Sequence, residues 1–317
     1  FTGSAITGRK LKSNPNILAN AIPFNMEADS LNACVLGETV EANSAEFDLF
    51  IKEVVRELTV KAGQKCTAIR RTIVPRSKVE VVVDALKKRL DKITIGDPSA
   101  DGVKMGPLVG RAQLLDVWDK VKILGNSSEI IYGGSKDFEI VGGDSEKGAF
   151  FPTTLLYCDK PLSAEEPHAE EAFGPVSTIL PYDNLAEAVT LTKLGRGSLV
   201  GSVFTADDTE ARQFILSTAA YHGRLLIINA DCAAESTGHG SPMPTLVHGG
   251  PGRAGGGEEL GGARAIKHYM QRTALQGSPT TLMAITEEYH AGATPIKDLV
   301  HPFRKYFDDL QIGETLI

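Results

Sequence analysis

The chain has 317 residues, 42% of them hydrophobic and 23% charged, a composition that excludes a disordered or collagen-like chain and allows one large or two medium domains. Its 33 basic and 40 acidic side chains leave a net charge of −7, which excludes a broadly basic surface for nucleic acid or anionic membrane. No apolar run approaches the roughly 20 residues that span a bilayer, and no signal segment is visible, so a cytoplasmic protein without nucleic-acid or membrane partners is expected.

The sequence opens at Phe1 without a methionine, in what reads as a strand-to-helix transition, and a fragment is suspected. Ile22 to Met26 and Leu31 to Leu36 read as short strands. Asn43 with Glu46 resembles a helix cap, and Phe47, Phe50, Ile51, Val54, Val55 and Leu58 recur at helical spacing until Lys61 and Gly63. Cys66 follows, then an extended run to Val74. Ser77 and Glu80 resemble a second capping box ahead of Val79, Val82, Val83, Leu86 and Leu90. Helical patterns near 111–124, 184–194 and 208–219 alternate with strand patterns near 152–157, 176–181, 199–204 and 224–229. Such alternation predicts an α/β sandwich, helices on a mostly parallel sheet. Periodicity stops from Asp231 to Gly262, where eight of the fourteen residues 249–262 are glycine. A helix is expected from Ala263 to Arg272, a strand from Thr280 to Ile285, and a linker from Glu287 onward.

Few motifs carry chemistry on their own. Gly250, Gly252 and Gly255 satisfy GxGxxG, but Pro251 interrupts them and no strand precedes them, so a dinucleotide fingerprint is not expected there. Phe1 to Ser4 lead through glycine and serine into a helix, a junction that can offer backbone N–H groups to a phosphate. Cys66 lies in a turn beside Lys65, where exposure and a neighbouring cation favour the thiolate, though most cysteines are simply small apolar residues. Cys34, Cys158 and Cys232 read as structural, and with no CxxC pair a disulfide framework is not expected. The seven histidines are scattered, without HExxH or zinc spacing, so no metal centre is expected; His222, His239 and His248 read as polar loop residues. Glu27 ends an apolar run, where burial would suit a general base.

Together these segments resemble the aldehyde dehydrogenase superfamily over residues 1–285. Phe1-Thr2-Gly3-Ser4 is similar to the phosphate-contacting start of the family's cofactor helix, Glu27 falls where the family carries its base, and Gly63-Gln64-Lys65-Cys66 resembles its nucleophile loop. Glu171, Phe173, Gly174 and Pro175 reproduce the ExFGP motif, whose glutamate holds the nicotinamide ribose and whose phenylalanine packs on the nicotinamide. Gly106 to Val109, the strand ending at Asn229, and Gly255 to Gly262 keep the family order. Two features depart from it: Ala28, Asp29 and Ser30 replace a leucine and two glycines, and Glu27 stands 39 residues before Cys66, with Glu38 and Glu41 as weaker competitors for the base. Residues 234–244, 248–262 and 272–279 are similar to a subgroup, the aldehyde dehydrogenase half of bifunctional phenylacetate-degradation proteins.

The resemblance implies a three-layer α/β/α sandwich with part of a Rossmann-like cofactor domain at 1–36 and a complete catalytic domain at 37–262. It further implies a C-terminal helix and oligomerisation strand at 263–285, and at 286–317 a linker with the start of a hot-dog (MaoC-like) hydratase domain. It implies Cys66 and Glu27 as nucleophile and base, Gly3, Ser4, Glu171 and Phe173 as cofactor contacts, and NADP as cofactor with NAD as the fallback. The implied partners are a small aldehyde, a CoA-thioester semialdehyde in this subgroup, and further copies in a homo-oligomer. Residues 231–257, with Ser236, Thr237, His239 and Ser241 among glycines, are expected to wrap that substrate. A cysteine hydrolase or acyl transferase without a redox cofactor, and a non-catalytic structural piece, are the competing classes.

Overall fold

The computed structural model describes residues 1–243, 246, 248–257 and 262–294, so the expected hydratase approach segment at 301–317 lies outside the described residues. Two compact units divide the chain at Leu260 and Gly261. In the first, α1 (Ala5–Lys12) and α2 (Pro15–Ala19) precede β1 (Asn32–Leu36), α3 (Ala45–Thr59), β2 (Ile69–Pro75), α4 (Val79–Leu90) and α5 (Arg111–Leu124). Next come β3 (Glu129–Tyr132), β4 (Thr154–Tyr157), α6 (Glu166–Ala169), β5 (Val176–Tyr182), α7 (Leu185–Leu194), β6 (Ser198–Phe204), α8 (Asp208–Thr218) and β7 (His222–Ile228).

The seven strands form one sheet in the order β3-β4-β5-β2-β1-β6-β7. Only the β3–β4 pair is antiparallel. Successive residues of a strand face opposite sides, and β1 shows it: Cys34 and Leu36 join the core under α3 and α4, while Ala33 and Val35 join the core under α7 and α8. Helices therefore cover both faces, giving the α/β/α layering expected from the alternation. β1 is a central strand of this sheet, between β2 and β6.

Local chemistry explains most of the element ends. Ser44, rather than Asn43, caps α3 by accepting the Phe47 N–H at 3.2 Å; Asn43 takes a left-handed φ of 70° one residue earlier. The apolar stripe Phe47, Phe50, Ile51, Val54 and Leu58 is buried. Asp207 caps α8 through Thr209 and Glu210, and Asn184 caps α7 through Glu187. The capping box at Ser77 does not form: α4 begins after a 3-10 turn at Arg76–Lys78 with no side-chain cap. Ile22 to Met26 is not a strand either; that stretch is irregular up to Glu27, which bridges to Thr2. β3, which sequence periodicity did not reveal, is a partly exposed edge strand.

The second unit contains α9 (Gly262–Tyr269) and α10 (Pro279–Thr286). The strand expected at Thr280 to Ile285 is thus a helix. Its Ser278 side chain accepts the Thr281 N–H and Pro279 occupies the first turn, a start signal that outweighs the β-branched residues behind it.

Candidate active site

In open parallel sheets ligands usually gather beyond the carboxyl ends of the strands. Here the chemistry-bearing side chains gather at the opposite rim. Glu27 precedes β1, Cys66 precedes β2, and Glu171 and Phe173 precede β5, three strands that lie side by side. Parallel pairing of Asn32 with Ile69 and of Arg71 with Thr178 brings the three lead-in segments level. Glu38 and Glu41 follow β1 and stand at the far rim, a strand's length of roughly 17 Å away; Glu38 is occupied there with the Leu185 N–H.

The Cys66 loop is held by its neighbours' backbones. After α3, Lys61, Ala62 and Gly63 take left-handed φ values of 55°, 51° and 67°. At Gly63 the chain lies against Gly174, and a Cβ would overlap the Gly174 carbonyl. Arg70, buried on β2, stitches the two together by donating to Gly174 O at 2.7 Å and Gly63 O at 2.8 Å. Behind the loop, the Asn32 amide donates to Cys66 O at 2.8 Å and Ala68 O at 2.9 Å. Its own oxygen accepts from Ser30 and from the Val200 N–H. Asn32 and Arg70 were not among the residues singled out from sequence, and Ser30 was noted only as a departure from the family pattern.

Glu27 is only 4% exposed. Its backbone is zipped to the first residues, with Glu27 N donating to Phe1 O at 2.9 Å and Gly3 N donating to Glu27 O at 3.1 Å. On its other side Ala28 N donates to Ala254 O, and Gly257 N to Met26 O. Gly255, at φ 107°, packs onto Met26 with no room for a Cβ. The glycine-rich segment therefore buttresses Glu27, and this close packing accounts for glycines that imitate a nucleotide fingerprint.

Cys66 lines two cavities at once. The larger, about 680 Å³, also has Gly3, Ser4, Glu27, Glu171, Phe173 and Arg253 in its walls. The smaller, about 310 Å³, is bounded by Lys61, Lys65, Gly240, Pro242 and His248. All six residues expected at the site, Gly3, Ser4, Glu27, Cys66, Glu171 and Phe173, meet in the larger cavity. Cys34 and Cys158 are buried in the core, and burial pushes both thiols up.

Three expectations need correction. The Lys65 ammonium does not serve the Cys66 sulfur alone, because it is paired at 2.6 Å with the buried Glu57 carboxylate. The polar side chains of the 231–257 loop mostly bond among themselves or with the sheet: Thr237 donates to Ser241 O, Ser236 accepts the Gly238 N–H, and His239 is fully buried with Nδ1 2.8 Å from Ser202 Oγ. The loop instead presents Gly240, Pro242 and His248 to the smaller cavity. His222 begins β7, buried against Ser198, and His248 is no bystander: its Nε2 stands 3.8 Å from Cys66 Sγ and 3.9 Å from Glu27 Oε2.

The larger cavity fits a nicotinamide nucleotide. Glu171 Oε1 is buried without a hydrogen-bond partner among the described residues, although Arg70 Nε lies 3.5 Å away. Burial raises the Glu171 carboxyl to about 7 against the opposing pull of Arg70. An acceptor held back in this way suits a ribose hydroxyl. Phe173 is fixed by Gln113, which donates to its carbonyl at 3.1 Å, and by the Arg70 guanidinium 5.4 Å from its ring centre. At the start of α1, however, Asp29 Oδ1 accepts the Ala5 N–H at 2.9 Å and Ser4 Oγ the Thr7 N–H at 3.3 Å. Part of that helix terminus is thus already used by the chain itself.

The sequence model of the aldehyde dehydrogenase family matches residues 1–275. The chain belongs to the aldehyde dehydrogenase family. It is 43% identical over 251 residues to a 3,4-dehydroadipyl-CoA semialdehyde dehydrogenase of Aromatoleum evansii, covering 79% of this chain and 49% of that protein. It is 53% identical over 214 residues to the Klebsiella aerogenes protein MaoC, covering 67% and 62%. Among solved structures, apo betaine aldehyde dehydrogenase of Staphylococcus aureus matches with a TM-score of 0.71 at 25% identity, covering 85% of this chain and 49% of that one. The same enzyme in complex with NAD+ matches at 0.70 and 24% identity, over 85% and 49% of the two chains. The chain therefore spans about half to three-fifths of these relatives. Its seven-stranded α/β sheet is of the aldehyde dehydrogenase type, and among the described residues no helix is long and apolar enough to cross a membrane.

Proposed function

We propose that this chain carries the nucleophile, base and nicotinamide-side contacts of an NAD(P)-dependent aldehyde dehydrogenase that converts a CoA-linked semialdehyde to the carboxylic acid. One observation carries the reading: Cys66 lines two cavities, so an aldehyde in one and a dinucleotide in the other would both lie against this residue. Cys66, as thiolate, adds to the carbonyl carbon to give a thiohemiacetal. Phe173 and Glu171 would hold a nicotinamide nucleotide by its ring and its ribose, and that group would supply the hydride acceptor for collapse of the thiohemiacetal. The resulting thioester is opened by water, whose proton Glu27 takes, and the acid leaves.

The substrate class rests on the name of the Aromatoleum evansii relative and on the subgroup resemblance. Lys61 at the mouth of the smaller cavity adds a cationic group suited to an anionic chain. NADP is the expected cofactor, with NAD the alternative, and a bifunctional, homo-oligomeric protein with a MaoC-like partner domain is the expected context. Cys66, His248 and Glu27 also invite comparison with a thiol hydrolase, but there the acid orients the histidine through the nitrogen opposite the thiol. Here the same Nε2 faces both groups.

The test uses the whole protein that contains this segment. Cys66→Ala abolishes aldehyde-dependent nicotinamide reduction. Glu27→Gln accumulates an acylated Cys66, seen as a mass increment on its peptide. Thioester hydrolysis without any absorbance change of the nicotinamide would favour the hydrolase instead, and undiminished turnover by Glu27→Gln removes Glu27 as the base.

A further inference from the structure

We infer that His248 is a catalytic residue of this site, the group that receives the Cys66 thiol proton and holds it between the sulfur and Glu27; the inference rests on the dehydrogenase reading and adds a proton path to it. Two distances carry it. Nε2 of His248 lies 3.8 Å from Cys66 Sγ, within hydrogen-bonding range for sulfur, and 3.9 Å from Glu27 Oε2. Glu27 Oε2 is buried and has no hydrogen-bond partner among the described residues. One ring nitrogen thus lies near both a nucleophile that must lose a proton and a carboxylate oxygen whose acceptor capacity is unused, and the ligand atoms of the three residues cluster within 4.8 Å of one another.

The step balances without a further reagent. The S–H bond breaks as the S–C bond to the aldehyde forms, the proton moves to Nε2, and the pair of the carbonyl π bond moves to oxygen, which becomes the alkoxide of the thiohemiacetal. The imidazolium then sits beside the Glu27 carboxylate, which stabilises its positive charge. Removal of the thiol proton by the Glu27 carboxylate would leave a neutral acid beside the thiolate, whereas transfer to His248 leaves an imidazolium beside it; Lys65, the nearest lysine in sequence, is engaged by Glu57, and buried Arg70, which interacts electrostatically with Cys66, is opposed by Glu171. The other charged groups around the pair include Lys61 and Lys65 in the wall of the smaller cavity, Arg70 on β2, which is opposed by Glu171, and Asp29 and Arg253 in the wall of the larger one. His248 also borders the smaller cavity, so an added small base can reach the place its ring would vacate.

The experiment measures alkylation of Cys66 by iodoacetamide, a neutral probe, from about pH 6 to about pH 10. Labelled peptides are quantified by mass spectrometry in the full chain, with partly exposed Cys232 as the internal reference. Wild type, His248→Ala and His248→Gln are compared, each first checked for a native melting transition. Near neutral pH the wild-type Cys66 reacts roughly tenfold or more faster than in either variant, the curves converge at high pH, and millimolar imidazole restores the rate in His248→Ala. Superimposable pH profiles in wild type and variants overturn the role of His248. A wild-type Cys66 no faster than Cys232 overturns the nucleophile assignment itself, a separate result.

Discussion

Gly63 lies so close to Gly174 that a methyl group on its α-carbon would occupy the space of the Gly174 carbonyl oxygen. This contact joins the Cys66 loop to the Glu171–Pro175 segment, two stretches more than a hundred residues apart in the chain. Gly63 also has φ 67°, so alanine there meets a conformational cost of about 1–2 kcal/mol as well as the overlap. Gly63→Ala is expected to destabilise the chain by roughly 3 kcal/mol or more. Gly102, with φ 79° but nothing within 4 Å of its would-be Cβ, is the control: Gly102→Ala carries the conformational cost alone. Denaturant melts of the two variants separate these contributions.

Asn32 tests how far the scaffold behind Cys66 governs reactivity. Its amide satisfies the carbonyls of Cys66 and Ala68 while its oxygen receives Val200 N and Ser30 Oγ. Asn32→Leu fills a similar volume and leaves these buried groups unpaired, at a cost of roughly 2–4 kcal/mol. Asn32→Asp keeps the acceptor and loses the donor. Both variants are expected to lower Cys66 alkylation as well as the denaturation midpoint; unchanged alkylation in a stably folded Asn32→Asp would show that the loop holds its shape unaided.

The Glu171 carboxyl, raised by burial from 4.5 to about 7 despite Arg70, makes stability depend on pH in a defined direction. Between these two values the folded state binds more protons at this site than the unfolded state. Stability therefore falls as pH rises from about 4.5 to 7, and the loss is complete above that range. The size is on the order of 3 kcal/mol. Subtracting the unfolding free energy of Glu171→Gln, measured across this range, should isolate that slope. A flat difference would place the carboxyl in its ordinary range.

Arg71 is 1% exposed, and among the described residues no carboxylate is a hydrogen-bond partner of its guanidinium. It donates to the carbonyls of Leu31, Leu191 and Thr192, tying the end of α7 to the approach to β1, and burial lowers it to about 9. Arg71→Leu strands these carbonyls and is expected to cost roughly 3–5 kcal/mol in a denaturant melt. Arg71→Lys, with one ammonium for three acceptors, should recover only part of that.

Much of the fold was legible in the sequence because buried helix faces repeat cleanly: Phe47 to Leu58, the helix at 111–124 and the strands at 176–181 and 199–204 emerge near the predicted bounds. The misreadings arise where local chemistry competes. Thr280 to Ile285 has strand-like residues, yet Ser278 and Pro279 start a helix, and β3 is too exposed to alternate visibly. At the site, Glu27, Cys66, Glu171 and Phe173 could be picked out through their family motifs. Asn32 and His248 could not, since neither differs locally from a structural polar residue and only the tertiary arrangement turns them toward Cys66. Arg70 and Arg71 did leave a signal: two adjacent arginines in an otherwise apolar strand imply buried partners for both.

Glu27, Cys66, Glu171 and Phe173 each lie ahead of a strand, while the turns that follow β1, β5 and β6 lead into helices at the other rim. Length changes in those turns, around Glu38, Asp183 and Asp207, would leave the spacing of sulfur, carboxylates and imidazole intact. Shortening any lead-in segment by even one residue would pull a participant out of reach. The sheet thus separates the places where descendants of this fold can grow from the places where they cannot.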